Sequence, residues 1–130
     1  MLRRCILIAG FLAILTPAVA LAAEPQPFDA KAFSDAQAAA KPILVQIDAS
    51  WCPICAKQRP ILAELERTLE FSELVVFNID FDSQKELVRQ FGANMQSTLI
   101  VFRGAVEKGR TSGETDPARI KAFLEKSNSA

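Results

Sequence analysis

Histidine is absent from this chain of 130 residues, and cysteine occurs only three times. With no imidazole and a single closely spaced thiol pair, the chain cannot assemble the four nitrogen and sulfur ligands of a structural zinc site. Basic and acidic side chains balance at 15 each, and no basic patch with interleaved aromatics occurs. That argues against a nucleic-acid partner. Internal repeats and low-complexity domains are missing, and the length allows one folded domain. The apolar run from Cys5 to Leu15 is cut by Thr16-Pro17, well short of the ~20 residues that a membrane-spanning helix needs.

What is present starts at the N-terminus. Arg3-Arg4 forms a positive lead, Cys5 to Leu15 an apolar core, and Ala18-Val19-Ala20 or Ala20-Leu21-Ala22 a small-residue cleavage site. Residues 1–22 therefore read as a secretory signal peptide, with a domain over 23–130; an uncleaved anchor is the alternative. Export implies a periplasmic or otherwise extracytoplasmic location, where disulfides persist. Cys5 precedes the apolar core and is not placed for lipid attachment. Loss of Arg3 and Arg4 from the 15 basic residues leaves 13 against 15 acidic, a net charge of −2, and leaves Cys52 and Cys55 as the only thiols.

Those two thiols lie in Trp51-Cys52-Pro53-Ile54-Cys55, directly after the β-rich run Ile43-Leu44-Val45-Gln46-Ile47 and directly before a helical pattern. Ile61, Leu62, Leu65 and Leu69 fall on one face of that helix, and Pro53 suits its first position because the missing N–H would be unpaired there anyway. Cys52 then sits at the helix N-terminus, where free N–H groups and the positive end of the dipole favour a thiolate. A free cysteine titrates near about 8.5, and such positions bring it to roughly 3.5–7.5. Cys52 is expected to attack, and Cys55, one turn on and deeper, to resolve the mixed disulfide. A structural bridge, a zinc half-site or chance spacing would also account for the pair. The first would close too small a loop to constrain the unfolded chain much, and the second lacks its other ligands.

Further along, Asp29 to Ala40 is expected to be a helix capped by Asp29 or its neighbour and fastened by Phe28 and Phe33, after a Pro-rich lead at residues 24–27. Leu74 to Ile79 reads as a strand parallel to the first, reached through the long helix, which Pro60 should bend. Asp82 or Ser83 should cap a short helix through Phe91, closed by Gly92. Thr98 to Phe102 is a strand that turns at Arg103-Gly104 into a weaker one over 106–111. Asp116-Pro117 opens the last helix, with Ile120, Phe123 and Leu124 facing inward. Asp48 and Lys57 lie near the cysteines in sequence, at positions expected to be solvated.

This order of elements around Trp51-Cys52-Pro53-Ile54-Cys55 resembles the thioredoxin-like superfamily. Pro60, Asn78-Ile79-Asp80, Thr98 to Phe102 and Gly113 add to the resemblance. Lys41 to Val45 followed by Ala49 to Cys52 is similar to exported thioredoxin domains and to the periplasmic domain of the membrane electron transporter that reduces them. The resemblance implies an α/β fold with a central mixed four-stranded sheet flanked by helices. Three departures stand out. Gln46 occupies the place of a buried acid that helps deprotonate the resolving cysteine, Phe77 that of its lysine partner, and Ser97 that of a cis-proline facing the disulfide. A non-proline cis bond costs roughly 3–4 kcal/mol, so a trans Gln96–Ser97 bond is expected. A newly available N–H near the cysteines and a weakened groove should follow, with Ser97→Pro raising activity.

The expected function is an exported protein-disulfide oxidoreductase acting as reductase or electron relay, because Pro53-Ile54 lacks the histidine of strongly oxidising relatives. Cys52 and Cys55 are catalytic, while Trp51, Pro53, Ile54, Gln96 and Ser97 bind an extended segment of substrate. It would work as a monomer on protein thiols and disulfides, supplied by a membrane-bound electron donor, with no cofactor, no metal and no nucleic acid. The alternative is a non-catalytic binding module or an iron–sulfur carrier in which two chains share a cluster.

Overall fold

A computed structural model describes residues 24–130. The signal-peptide expectation for residues 1–22, together with Cys5, lies outside the described residues. In chain order the elements are β1 (Gln26–Pro27), α1 (Ala30–Ala38), β2 (Pro42–Asp48), α2 (Pro53–Glu66), β3 (Val75–Asp80), α3 (Lys85–Gln90), β4 (Thr98–Arg103), β5 (Val106–Ser112) and α4 (Pro117–Glu125). Short 3₁₀ turns follow α2 and α4. The sheet order is β1-β3-β2-β4-β5. β1, β3 and β2 run parallel, and β4 pairs antiparallel with both β2 and β5. This is the expected mixed α/β sheet with one strand more than the four anticipated. Gln26 and Pro27 pair with Phe77 and Asn78 at the open edge of β3. A proline is tolerated there because an edge strand needs only one of its sides for the ladder.

The unbroken apolar character of β2 follows from its place between two strands and two helical layers. Leu44 faces Leu62, Phe71, Ile120, Phe123 and Leu124 in one core. Ile43, Val45 and Ile47 face Phe77, Ile79 and Ile100 in the other. The second core holds a phenylalanine cluster: Phe28 lies 5.4 Å from Phe33 and 5.4 Å from Phe91, and Phe33 lies 5.5 Å from Phe102. Most of these rings meet edge to face, an arrangement worth about 0.5–1.5 kcal/mol per pair beyond area burial. Phe77 belongs to this cluster. It therefore points away from Gln46, whose register partner on β3 is Asn78. A lysine-for-phenylalanine exchange beside Gln46 is thus corrected to an amide pair, because alternate strand residues face opposite sides.

Capping agrees with expectation at both outer helices. Asp29 accepts the Ala32 N–H at 2.7 Å and Asp116 the Arg119 N–H at 2.9 Å. The long helix runs through Pro60 and stops at Glu66, so Leu69 falls in the following 3₁₀ turn and is 89% exposed instead of lying on the apolar face. At α3 neither Asp82 nor Ser83 is the cap. Gln84 holds that position, and Asp80 organises the turn by accepting the N–H groups of Asp82 and Ser83 at 3.0 and 2.8 Å. Gly104 turns β4 into β5 at φ +57°, with a Cβ there only 3.2 Å from the Gln37 carbonyl oxygen.

Because Phe77 is fully buried among aromatic rings, Phe77→Ala should destabilise the domain by about 3–5 kcal/mol. Urea unfolding of the variant beside wild type measures the loss.

Candidate active site

β2 ends at Asp48, and four residues separate it from the start of α2 at Pro53. Cys52 is the N-cap, with extended φ −79° and ψ 116°, and Pro53 occupies the first turn. The Cys55 N–H donates to Cys52 Sγ at 3.1 Å, so the sulfur takes the position that a serine or aspartate oxygen takes at other helix starts. Cys52 N–H in turn donates to the Ala49 carbonyl at 3.2 Å, closing the turn. Both thiols are free and buried, Cys52 at 1% exposure and Cys55 at 2%. The expected difference in depth is absent. What separates the two is their surroundings: burial, then hydrogen bonding with Cys52 and Asp48, pushes the Cys55 thiol up to about 12, with the Ala49 backbone opposing.

Ala49, Cys52 and Cys55 form a small apolar cluster onto which half-buried Ile54 and Phe81 pack. Trp51 beside them is 57% exposed, its indole N–H donating to Asp82 Oδ2 at 2.6 Å. Pro53 is exposed and Gln96 half-buried. Gln96 and Ser97 reach this end of the molecule through anchors on β2 and α2. The Ser97 N–H donates to the Ile47 carbonyl at 2.9 Å, and Gln58 Nε2 donates to the Ser97 carbonyl at 3.2 Å.

No peptide bond among the described residues is cis, so Gln96–Ser97 is trans. The expected free N–H and the gain from Ser97→Pro fail. Its N–H is consumed by β2, and its φ is +62°, in the left-handed region. Proline is locked near −65° and has no N–H to give. Ser97→Pro is therefore incompatible with this loop and cannot be expected to raise activity through it.

Two polar residues near the pair, Gln58 and Arg59, were not picked out from the sequence. Gln58, buried one turn beyond Cys55, ties α2 to Ser97 and to the Glu114 carbonyl at 3.0 Å. Arg59 makes a two-pronged contact with Asp48, Nε to Oδ2 and Nη2 to Oδ1, both 2.9 Å, and Nη2 also reaches the Ala49 carbonyl at 2.9 Å. Asp48 is thus a paired residue at the cysteine turn and not a solvated loop position. Gln46 donates to Asn78 Oδ1 at 3.1 Å, leaving its own Oε1 buried without a partner.

Glu66, 1% exposed, has an equally orphaned Oε1. Gln46, Asp48, Arg59, Glu66 and Asn78 line one cavity of about 460 Å³, with Pro25 to Pro27 among its walls. Helical spacing was the available signal: Cys55, Arg59, Leu62 and Glu66 fall on one stripe of α2, so a carboxylate there faces the sheet.

A paired-thiol centre at a helix N-terminus beside a mixed sheet defines a redox-active α/β domain, a thiol–disulfide exchange protein. The family model described as Thioredoxin matches residues 24–126, and the chain belongs to that family. It is a protein-disulfide oxidoreductase. Among solved structures it is similar to Trxlp from Edwardsiella tarda, 40% identical with a TM-score of 0.75, covering 78% of this chain and 98% of that one. It is also similar to thioredoxin Asp f 29 of Aspergillus fumigatus, 28% identical over 74% of this chain and 91% of that protein. The bifunctional thioredoxin reductase/thioredoxin of Mycobacterium leprae is 32% identical over 71% of this chain. The match spans only 20% of that longer protein.

Two outcomes follow from the loop and the buried acid. Ser97→Gly should preserve or raise stability, since a non-glycine residue in the left-handed region costs roughly 1–2 kcal/mol, whereas Ser97→Pro should lower it; thermal unfolding compares them. Burial raises Glu66 from its ordinary 4.5 to about 7, with Arg67 opposing. A folded-state value above the unfolded one means stability falls as pH rises from about 4.5 to 7, by on the order of 3 kcal/mol at ~1.36 kcal/mol per unit. Glu66→Gln should flatten that slope in urea titrations at a series of pH values.

Proposed function

We propose that Cys52 is the nucleophile and Cys55 the resolving thiol of an exported reductase or electron relay acting on protein disulfides. The observation that carries these roles is the asymmetry of the pair. Cys52 Sγ receives the Cys55 N–H at the positive end of α2, while burial holds Cys55 as a thiol. In the first step Cys52 thiolate attacks one sulfur of the substrate disulfide, forming a mixed disulfide and expelling the other sulfur as a thiolate. Cys55 then attacks Cys52 Sγ, forming the intramolecular disulfide and releasing the second substrate thiolate. Two electrons pass to the substrate, and the protein is oxidised by the same amount.

The reducing direction is supported by the residues around Cys55. Strong oxidants of this chemistry have a stabilised reduced form, and here burial opposes a thiolate on Cys55. Trp51, Pro53, Ile54, Gln96 and Ser97 flank the pair and form the proposed contact surface for an extended substrate segment. Export to the periplasm rests on residues 1–22 alone, and the partners follow from it: exported protein thiols and disulfides, and a membrane-bound electron donor. Among the described residues no helix is long and apolar enough to cross a membrane.

Cys52→Ser should abolish reduction of a peptide disulfide, and Cys55→Ser should instead accumulate the mixed disulfide, seen as an added mass on Cys52. Accumulation on Cys55 would reverse the assigned roles. The reduction potential against glutathione should fall nearer about −270 mV than about −120 mV; a value near the latter would make the protein an oxidant.

A further inference from the structure

We propose that the cavity enclosed by β1, β2, β3 and α2 is a binding site for a short-chain alkylammonium, held between the side-chain oxygens of Gln46 and Glu66. Its volume is about 460 Å³. That lies within the range of about 300–1,000 Å³ usual for small-molecule sites and far above the ~30 Å³ share of one water. Neither cysteine lines it, so the site does not depend on the roles of the two thiols.

Two buried acceptors call for a ligand with donors. Gln46 is 8% exposed and Glu66 1%, both line the cavity, and Oε1 of each has no donor. Polar atoms buried in this way are ordinarily completed by water or a bound group. Glu66 adds a requirement of charge. Among the described residues it makes no ion pair. Arg59, the one cation among the described residues of the cavity wall, is turned to Asp48 and the Ala49 carbonyl. Arg67, next in the chain, sends its Nε–H to the Ala63 carbonyl. Water would complete the hydrogen bonds of a Glu66 carboxylate and leave its charge unmatched, whereas a cation with N–H donors supplies both.

The form of the cation follows from where the acceptors lie. Gln46 is on β2 and Glu66 is the last residue of α2, so the donors must diverge to reach both. An ammonium carries three donors around a point charge, while the planar guanidinium fork matches the two oxygens of a single carboxylate. Asn78 Oδ1, which accepts Gln46 Nε2 at 3.1 Å, keeps a second lone pair on the same wall. Leu62, Ala63 and Pro27 offer apolar wall to an alkyl stem. A bare metal ion is a poorer match. Both Asp48 oxygens are engaged by Arg59, and among the described residues no three His, Cys, Asp or Glu side chains cluster to hold one.

The probe is n-butylammonium chloride, added to the reduced full-length chain at about pH 8, where a Glu66 carboxyl is ionised, and followed by NMR at the Gln46 side-chain amide and the Glu66 carboxyl carbon. Saturating shifts of both groups are expected. Tetramethylammonium has the charge without N–H donors, and n-butanol has the stem without the charge. Each should bind more weakly by roughly tenfold or more. Equal binding by either control would overturn the proposal, as would shifts with n-butylammonium that never saturate, since the cavity would then hold water only.

Affinity should also follow the Glu66 proton. Burial raises Glu66 to about 7, so below that pH the ligand must displace a proton, while an alkylammonium keeps its own charge to about pH 10. Binding should tighten by roughly tenfold or more between about pH 5.5 and 8 and then level off. The charged groups facing Glu66 are Asp48 from β2 and Arg59 and Arg67 from α2, and β1 and β3 present the uncharged Gln26 and Asn78. Glu66→Gln keeps the shape and removes the charge. In that variant binding should weaken by roughly tenfold or more and lose its pH dependence; undiminished affinity or a persisting slope would refute Glu66 as the counter-ion and with it the site. The probe comparison and the pH series on the unaltered protein decide the matter if Glu66→Gln does not fold.

Discussion

The burial of β2 on both faces is the constraint on which the remaining architecture depends. With ladder partners on either side and helices above and below, its side chains from Pro42 to Ile47 have no exit to solvent. The chain escapes at its C-terminal end, where Asp48 is the first partly exposed residue. A helix starting so soon after the strand must begin with unpaired N–H groups at the sheet's edge. Cys52 supplies the acceptor for one of them. The proposed nucleophile and the helix cap are therefore one sulfur atom, and the loop carrying Ser97 is tied to the same strand through Ile47.

Polar groups behind this turn are arranged at some cost. An unpaired buried acceptor is worth roughly 1–3 kcal/mol of lost solvation, and the cavity between β2, β3 and α2 holds two, on Gln46 and Glu66. The amide at Gln46 carries no charge and finds Asn78 across the ladder, which makes the site tolerable without a buried ion pair. Two carboxylates line the cavity, Asp48 beside the cysteine turn and Glu66 toward the far end of α2.

Ser97 shows how one residue changes meaning in context. Its backbone N–H completes the pairing of β2 beyond the regular ladder, and Gln58 grips its carbonyl from α2. These contacts offset the left-handed φ that a serine would otherwise avoid. Gln58 thereby ties α2 to the neighbouring loop. Neither contact is suggested by sequence distance, since Gln58 and Ser97 are 39 residues apart.

Patterns local to a few residues were legible in the sequence: the cysteine spacing, Pro53 opening a helix, the caps Asp29 and Asp116, and the apolar runs of β2, β3 and β4, while the mixed α/β fold was implied by the family resemblance they carry. Each depends on backbone chemistry within one or two turns. Residues 26–27 carry no strand pattern of their own, and they pair because β3 has an open edge. The side of the sheet taken by Phe77, the equal burial of both thiols, the grip of Gln58 on Ser97 and the meeting of Asp48 with Arg59 were decided by tertiary structure. So was the enclosure of Gln46 and Glu66 in one cavity. Register and helix placement set which faces meet, and only that meeting determines which polar atoms lose their water.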